Sequence, residues 1–478
     1  MKKIFTSLFL AAVCMACSDI LEEKPKSLAS ENFYNTAAEA KAAVNAIYGP
    51  MRTEPALSTN YPAQLEGLAD YGNSRGTQTP VSLYQGLDNT NINRVATIWD
   101  NFYQSIRNAN LVIANVPKGT SMTDAEKASF VAEAKYMRAL IYFALVRNWA
   151  GVPLRTEENM TVADVPRSSV DDVYKQIVAD ALVAESGLSD NPSEIGRPTK
   201  WAAKTLLSEV YMYLSQWQPS SAKAKEVIDS KKYSLVAVST SEDFQKIYGP
   251  EVVNTSEEIF YFKYSRQQGF GLVSYAHRKI GQYNYYGPGG VYAQYTDSVS
   301  NSVIKNWDFK DLRKNHILYN VDIGLGTTSM LYRKYRDPLA TGGAGNDYPW
   351  YRYADLLLFH AEADARANGK PTAEALESLN KVHRRAYGKP ADAVSTVDFK
   401  LGDFTLQTFI EKVVQERGYE TMYEGKRWND LKRLGIAKQR ILEVKNIVVA
   451  EKHMLWPIPN SEILYNKAIT AKDQNPGY

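Results

Sequence analysis

Acids and bases crowd the segment "ERGYETMYEGKRWNDLKRLG", among them Glu416, Arg417, Glu420, Glu424, Arg427 and Asp430. Paired carboxylates at short range are what general acid–base catalysis needs, glycoside hydrolysis above all. Here, however, each acid is interleaved with arginine or lysine at helical spacings, a pattern that pairs opposite charges across helical turns. Trp428, Leu431 and Leu434 supply an apolar stripe beside them. The segment therefore reads as ion pairs that fix helix packing, and Arg352 and Asp355 of "RYAD" read the same way. Other reactive groups are sparse. His277, His316, His360, His383 and His453 are scattered, with neither HExxH nor a pair at helical spacing, so no metal centre is expected. "TGGAGND" lacks the Lys-Ser or Lys-Thr of a phosphate loop. "DNTNINR" begins like an EF-hand but has Arg94 where glycine is required, and reads as an Asn-rich turn. No cofactor is expected, with a structural calcium left open, and no catalytic residue is assigned.

The elements that must position these residues follow from hydrophobic period. Ala37 to Tyr48 is an alanine-rich helix, whereas Pro50 to Asn93 has little periodicity and reads as a long functional loop. Ile98, Phe102, Ile106, Ala109 and Ile113 form one helical stripe; Phe130, Ala134, Met137, Ile141 and Leu145 form a second. Asp124 is placed as the N-cap of that second helix, and Gly151 and Pro153 stop it. "SSVDDVYKQIVADALVAESG" with "TKWAAKTLLSEVYMYLSQW", and "YADLLLFHAEADARANG" with "TAEALESLNKVHRRAYG", repeat the paired arrangement. Helix–turn–helix units of about 34 residues are the tetratricopeptide (TPR) pattern. Between them, "EIFYFKYS" and "MLYRKYR" look like strands. The expected fold is mostly α (α+β): one domain over 36–478, with TPR-like helix pairs at about 94–230 and 353–434, long loop-rich insertions and a few short strands.

The start of the chain is of another kind. Lys2 and Lys3 precede a mostly apolar run from Ile4 to Val13, too short to span a bilayer. Ala16 is a small residue just before Cys17, and the arrangement resembles a lipoprotein signal, although Cys14 and Met15 depart from its commoner residues. It implies removal of residues 1–16, diacylation of Cys17, and a tether over 17–35 that leaves the domain anchored to a membrane rather than spanning it. Loss of Lys2 and Lys3 lowers the formal charge from +3 to +1, with no basic stripe, which argues against a nucleic-acid partner. Cys14 and Cys17 are the only cysteines, so the folded body has none to pair and must be held by packing.

Several segments taken in order resemble the SusD/RagB family of surface lipoproteins. They are "CSDILEEKP", "EAKYMRALIYFALVRNWAGVPL", "TKWAAKTLLSEVYMYL", "YRYADLLLFHAEADARANG", "ERGYETMYEGKRWNDLKRLG", "LWPIPNSEILYN" and the terminal "DQNPGY". The resemblance spans the whole chain. It implies a TPR-containing fold, a lipid anchor in the outer membrane facing the exterior, and a SusC-like TonB-dependent transporter as partner. It also implies nutrient binding without catalysis, of glycans in most members and of peptides in some.

A sugar ring offers an apolar CH face and hydroxyl edges, so it is suited by a flat aromatic platform beside a few polar partners. The chain has 32 Tyr against 15 Phe and 8 Trp, and two loops concentrate them. "DYGNSRGTQTPVSLYQG" carries Tyr71 and Tyr84 with Asn73 and Arg75. "HRKIGQYNYYGPGG" carries Tyr283, Tyr285 and Tyr286 with Gln282 and Asn284. These nine are the candidate ligand-binding residues, with loop packing or contact with the transporter as the alternative for each tyrosine. Tyr292 and Tyr295 sit in a more helix-like run and are assigned to the core, as are Trp99 and Trp149 on their helical stripes; Trp350 fits either role.

Overall fold

The computed structural model describes residues 33–192, 194–267, 271, 282–287, 294–341 and 343–478. Cys17 and most of the tether lie outside them. Among the described residues the architecture is carried by helices α1 (Ala37–Met51), α2 (Asn89–Asn115), α3 (Asp124–Trp149), α4 (Val170–Gly187), α5 (Lys200–Tyr213), α6 (Trp217–Asp229), α7 (Tyr353–Ala367), α8 (Ala373–Ala386), α9 (Leu406–Glu420) and α10 (Arg427–Arg433). Each of α1 to α7 packs on the next: α1 on α2, α2 on α3, α3 on α4, α4 on α5, α5 on α6 and α6 on α7, and α7 packs in turn on α8 and α9. The array is thus continuous in space although some 120 residues of chain separate α6 from α7. Those residues leave the helical stack, build strands, and return.

Local chemistry sets the helix starts. Thr36 caps α1 and Glu39 reaches back to complete a capping box; Thr123 and Glu126 do the same for α3. The N-cap of α3 is therefore Thr123 and not the expected Asp124, because the acid that closes the box is Glu126. The stripe expected on α3 also understates its burial. From Ala132 to Trp149 nearly every residue is buried, polar ones included, since α3 lies between α2 and α4. Arg138 in its centre donates Nε to Asp180 of α4 at 2.7 Å and Nη1 to Asn110 of α2 at 2.6 Å, so one guanidinium ties three helices. Trp99 and Trp149 are core, as expected, and so is Trp350.

Pro50 to Asn93 differs from the expected loop. It folds into short turns of helix at Glu54–Ser58, Asn60–Gly67 and Thr79–Ser82, and the stretch expected to be an Asn-rich turn is instead the first turn of α2, with Asp88 as its N-cap. Turns of this length bury side chains without displaying any period. The C-terminal segments dock on the end of α3. Trp149 Nε1 donates to the Pro457 carbonyl at 2.8 Å, and Asn475 Nδ2 to the carbonyls of Trp149 and Trp456 at 3.0 and 2.7 Å.

Among the described residues six short strands complete the fold: β1 (Asn73–Ser74), β2 (Glu258–Phe262), β3 (Gln294–Asp297), β4 (Leu318–Asn320), β5 (Ser329–Tyr332) and β6 (Tyr348–Arg352). β2 and β6 pair antiparallel and lead into α7. The others form a four-stranded antiparallel sheet in the order β1-β3-β5-β4.

Candidate functional site

The charged segment occupies the interior, where β6, α7, α8 and α9 converge. Arg352 donates to Glu420 and Glu424 at 2.7 Å each, and Arg385 to Glu257 at 2.6 Å. Lys334 reaches Glu424 at 2.6 Å. Arg313 reaches Asp311 at 2.6 Å and Glu416 at 2.7 Å. Arg417 joins Asp355 at 2.8 Å to Asp430 at 2.7 Å, and Arg427 holds Asp70 at 2.8 Å. All of these groups are buried. Burial alone raises a carboxyl, but Arg313 and His383 beside Glu416 outweigh it and hold that group down at about 2. Glu420 and Glu424 are likewise held low against burial, first by Arg385 and by Arg352 respectively. A carboxylate locked in this way is a poor proton carrier near neutral pH. The segment therefore organises the fold, as its spacing indicates. Among the described residues no group of three or more His, Cys, Asp or Glu side chains is arranged to hold a metal.

The tyrosine loops divide. Tyr71 is 1% exposed; its hydroxyl donates to Glu66, and its carbonyl accepts from Thr296 Oγ1. Tyr84 is 6% exposed, its hydroxyl bound to the Leu68 carbonyl and its ring against Trp428 and His453. Tyr286 is 1% exposed and bridges to Asp337. These three expected ligand tyrosines belong to the core, because a phenol that already has an interior acceptor or close packing presents no free face. Gln282 and Asn284 are exposed, Tyr283 and Tyr285 half-buried.

Sheet register brings the remaining candidates together. Asn73 lies opposite Tyr295, and Tyr319 opposite Leu331. Thr296 pairs with Met330, which sets Tyr295 opposite Leu331 one step along. Directly opposed residues share a face, so Asn73, Tyr295, Leu331 and Tyr319 form a row across the sheet. Three strand spacings make it about 14 Å wide. The other face, with Gln294, Thr296, Met330 and Tyr332, is turned to the core, and Tyr332 stacks on Tyr423 at 5.0 Å.

At the β4 end the loop 282–287 lies against this row. The Tyr283 and Tyr285 rings stack at 5.8 Å and 23°, and each meets the Tyr319 ring, at 5.1 and 4.9 Å. The Asp337 amide donates to the Tyr285 carbonyl at 2.7 Å and the Gly287 amide to the Asp337 carbonyl at 3.0 Å, which fixes the loop. Arg333 follows β5 on the same face and donates Nη1 to the Tyr285 hydroxyl at 2.6 Å. At the β1 end Arg75 Nη1 reaches the Ile323 carbonyl in the β4–β5 turn at 3.3 Å. Asn73 and Arg75 thus flank one side of the face on which Tyr283 and Tyr285 stand.

Tyr295 and Arg333, both half-buried, complete the face beside the buried Leu331 and Tyr319, and nothing in the sequence marks them as a pair. Tyr295 is on a strand, not in a helix-like run, and Tyr292 lies outside the described residues. Alternation within "MLYRKYR" was the available signal: Leu331 and Arg333 point one way, Tyr332 and Lys334 the other. A separate cleft of about 810 Å³ lies between α9 and helix Ala437–Lys445, walled by Gln407, Gln415, Gln439, Glu411 and Glu443. Its aromatic contribution is small, because the Tyr419 ring is stacked on Trp307 at 4.3 Å. The tyrosine face is the better platform for a flat apolar ring surface.

Known proteins match this chain along its length. A family model described as the SusD family matches residues 282–478, and one described as starch-binding, associating with outer membrane, matches residues 19–212. SusD-like protein P2 of Formosa agariphila is 26% identical over 529 aligned residues, which span 100% of both chains. The solved structure of a SusD homolog from Bacteroides thetaiotaomicron superposes with a TM-score of 0.78 at 22% identity, covering 94% of this chain and 98% of that one. Surface glycan-binding protein A from Bacteroides thetaiotaomicron gives 0.73 at 20% identity, covering 93% and 100%.

Proposed function

We propose that this chain, which belongs to the SusD-like family, captures a glycan at the outer membrane and delivers it to a SusC-like TonB-dependent transporter. Cys17, lipidated, is its anchor, and it faces the cell exterior. The observation that carries the reading is the half-buried Tyr283–Tyr285 pair resting on the buried Tyr319 ring, with the Asn73 amide and Arg75 guanidinium at the far edge of the same sheet face, about 14 Å across. Stacking of a sugar CH face on such rings, with hydroxyls met at the edge, needs no catalytic group. The family description as starch-binding and the name of the surface glycan-binding neighbour support it. That the conspicuous carboxylates are engaged in the interior supports a binding role over a hydrolytic one.

The test is a binding titration of residues 18–478 against a polysaccharide panel and a peptide mixture, with a Tyr283→Ala/Tyr285→Ala variant alongside. Polysaccharide binding that the variant weakens about tenfold or more, with unchanged thermal unfolding, is expected. Binding of peptides alone, or release of reducing sugar, would overturn the reading.

A further inference from the structure

We infer that the glycan is acidic, and that Arg333 recognises the carboxylate or sulfate it carries. The inference rests on the binding face proposed above and names the chemistry of its ligand. Arg333 and Lys334 are consecutive in the chain and differ in what surrounds them. Lys334 turns inward, where Glu424 and the carbonyls of Glu420 and Met422 surround its ammonium. Arg333 turns outward. Among the described residues its hydrogen bonds go to the Tyr285 hydroxyl and the Asn315 carbonyl, both neutral acceptors. Among the described residues no carboxylate lies within 4.0 Å of its guanidinium, although the interior provides one for nearly every other buried cation nearby.

The neighbours do not cancel this charge. Arg336, three residues on, takes up the Glu242 carboxylate, which leaves Arg333 without that partner. Its guanidinium carbon and that of Arg333 both stand over the Tyr285 ring, at 5.3 and 5.0 Å. Asp297, on the face beyond Tyr295, is engaged by Thr328 and by the amides of Val299 and Ser300. The result is a positive charge held beside the stacking surface in a fixed orientation, with the Tyr285 hydroxyl as its brace. A planar guanidinium meets a carboxylate or a sulfate by two parallel hydrogen bonds, an arrangement that a neutral hydroxyl cannot match. A ligand whose ring stacks on Tyr283 or Tyr285 while its anionic substituent reaches Arg333 satisfies both features at once.

The experiment compares polygalacturonate and alginate (carboxylated), carrageenan (sulfated), and starch and xylan (neutral) on wild type, Arg333→Gln and Arg333→Lys, each checked by thermal unfolding. Expected is binding of one acidic class, weakened by added salt, reduced about tenfold or more in Arg333→Gln and partly restored in Arg333→Lys. The carboxylated and sulfated arms separate the two sources of charge, and methyl-esterified polygalacturonate should bind as weakly to wild type as the acid form does to Arg333→Gln. Preference for neutral glycans, or acidic binding that Arg333→Gln leaves intact, overturns this inference while leaving glycan capture standing. Peptide binding alone overturns both.

Discussion

Arg352 and Glu420 stand 68 residues apart in sequence and meet at 2.7 Å with both side chains buried. Arg385 and Arg313 converge on the same carboxylate. Removing one member leaves its partners charged and dry, which costs more than the pair itself is worth. Glu420→Ala is therefore expected to lower unfolding free energy by about 3–5 kcal/mol, seen as a lower denaturant midpoint with an unchanged slope. An unchanged midpoint would mean that the network contributes nothing net.

Glu66 behaves in the opposite sense. Burial raises it from 4.5 to about 7, against the Tyr71 hydroxyl and Gly425 amide that both donate to it. The native state holds that proton more tightly than the unfolded chain, so stability contributed at Glu66 falls as pH rises between those two values. Glu66→Gln does not titrate. Its unfolding free energy relative to wild type should improve on going from about pH 5 to about pH 8, by roughly 3 kcal/mol at most. A difference independent of pH would show the carboxyl to be ionised throughout.

Lys432 supplies the mirror case. Burial, and then Arg147, lower it from 10.5 to about 7, and its ammonium donates to the carbonyls of Arg147 and Met454. The unfolded chain holds this proton more tightly, so wild type gains stability as pH rises from about 7. Lys432→Met should look best against wild type below that pH and progressively worse above it, in chemical denaturation run across the range.

Gly287 tests how the tyrosine loop is seated. A Cβ at this position would lie 1.7 Å from the Ala340 carbonyl oxygen, a backbone atom that cannot turn aside. Gly287→Ala must lift the loop, separating the Tyr285 hydroxyl from Arg333. Glycan affinity is expected to fall by about tenfold while global stability drops by only about 1–3 kcal/mol, the usual cost of overpacking. Full affinity in this variant would detach the loop from the ligand.

Much of the scaffold was legible because helices advertise their period. The stripes of α2 and α3 lie where Ile98, Phe102, Ile141 and Leu145 place them. The structural role of Glu416 to Asp430 was also legible, from acids and bases at helical spacing. Their partners were not: Arg352, Arg385 and Arg313 come from three other elements, and no local pattern specifies such meetings. The proposed binding face was half legible. Tyr283 and Tyr285 were identified by composition, but composition cannot separate a half-exposed ring from Tyr71 or Tyr84, whose hydroxyls find acceptors within the fold. Tyr295 and Tyr319 were missed because strands of three or four residues are too short to show alternation, and their common face exists only through pairing between distant strands.

That sheet has one further consequence. Its two faces serve different masters through alternate residues, so the outward set can change by substitution without disturbing Met330, Tyr332 or Lys334 within. Insertion is another matter: one extra residue in β5 would exchange the two sets, carrying Arg333 into the interior and Lys334 out of it. Diversity at this face should therefore accumulate as replaced side chains within the strands and as altered length only in the loops that join them.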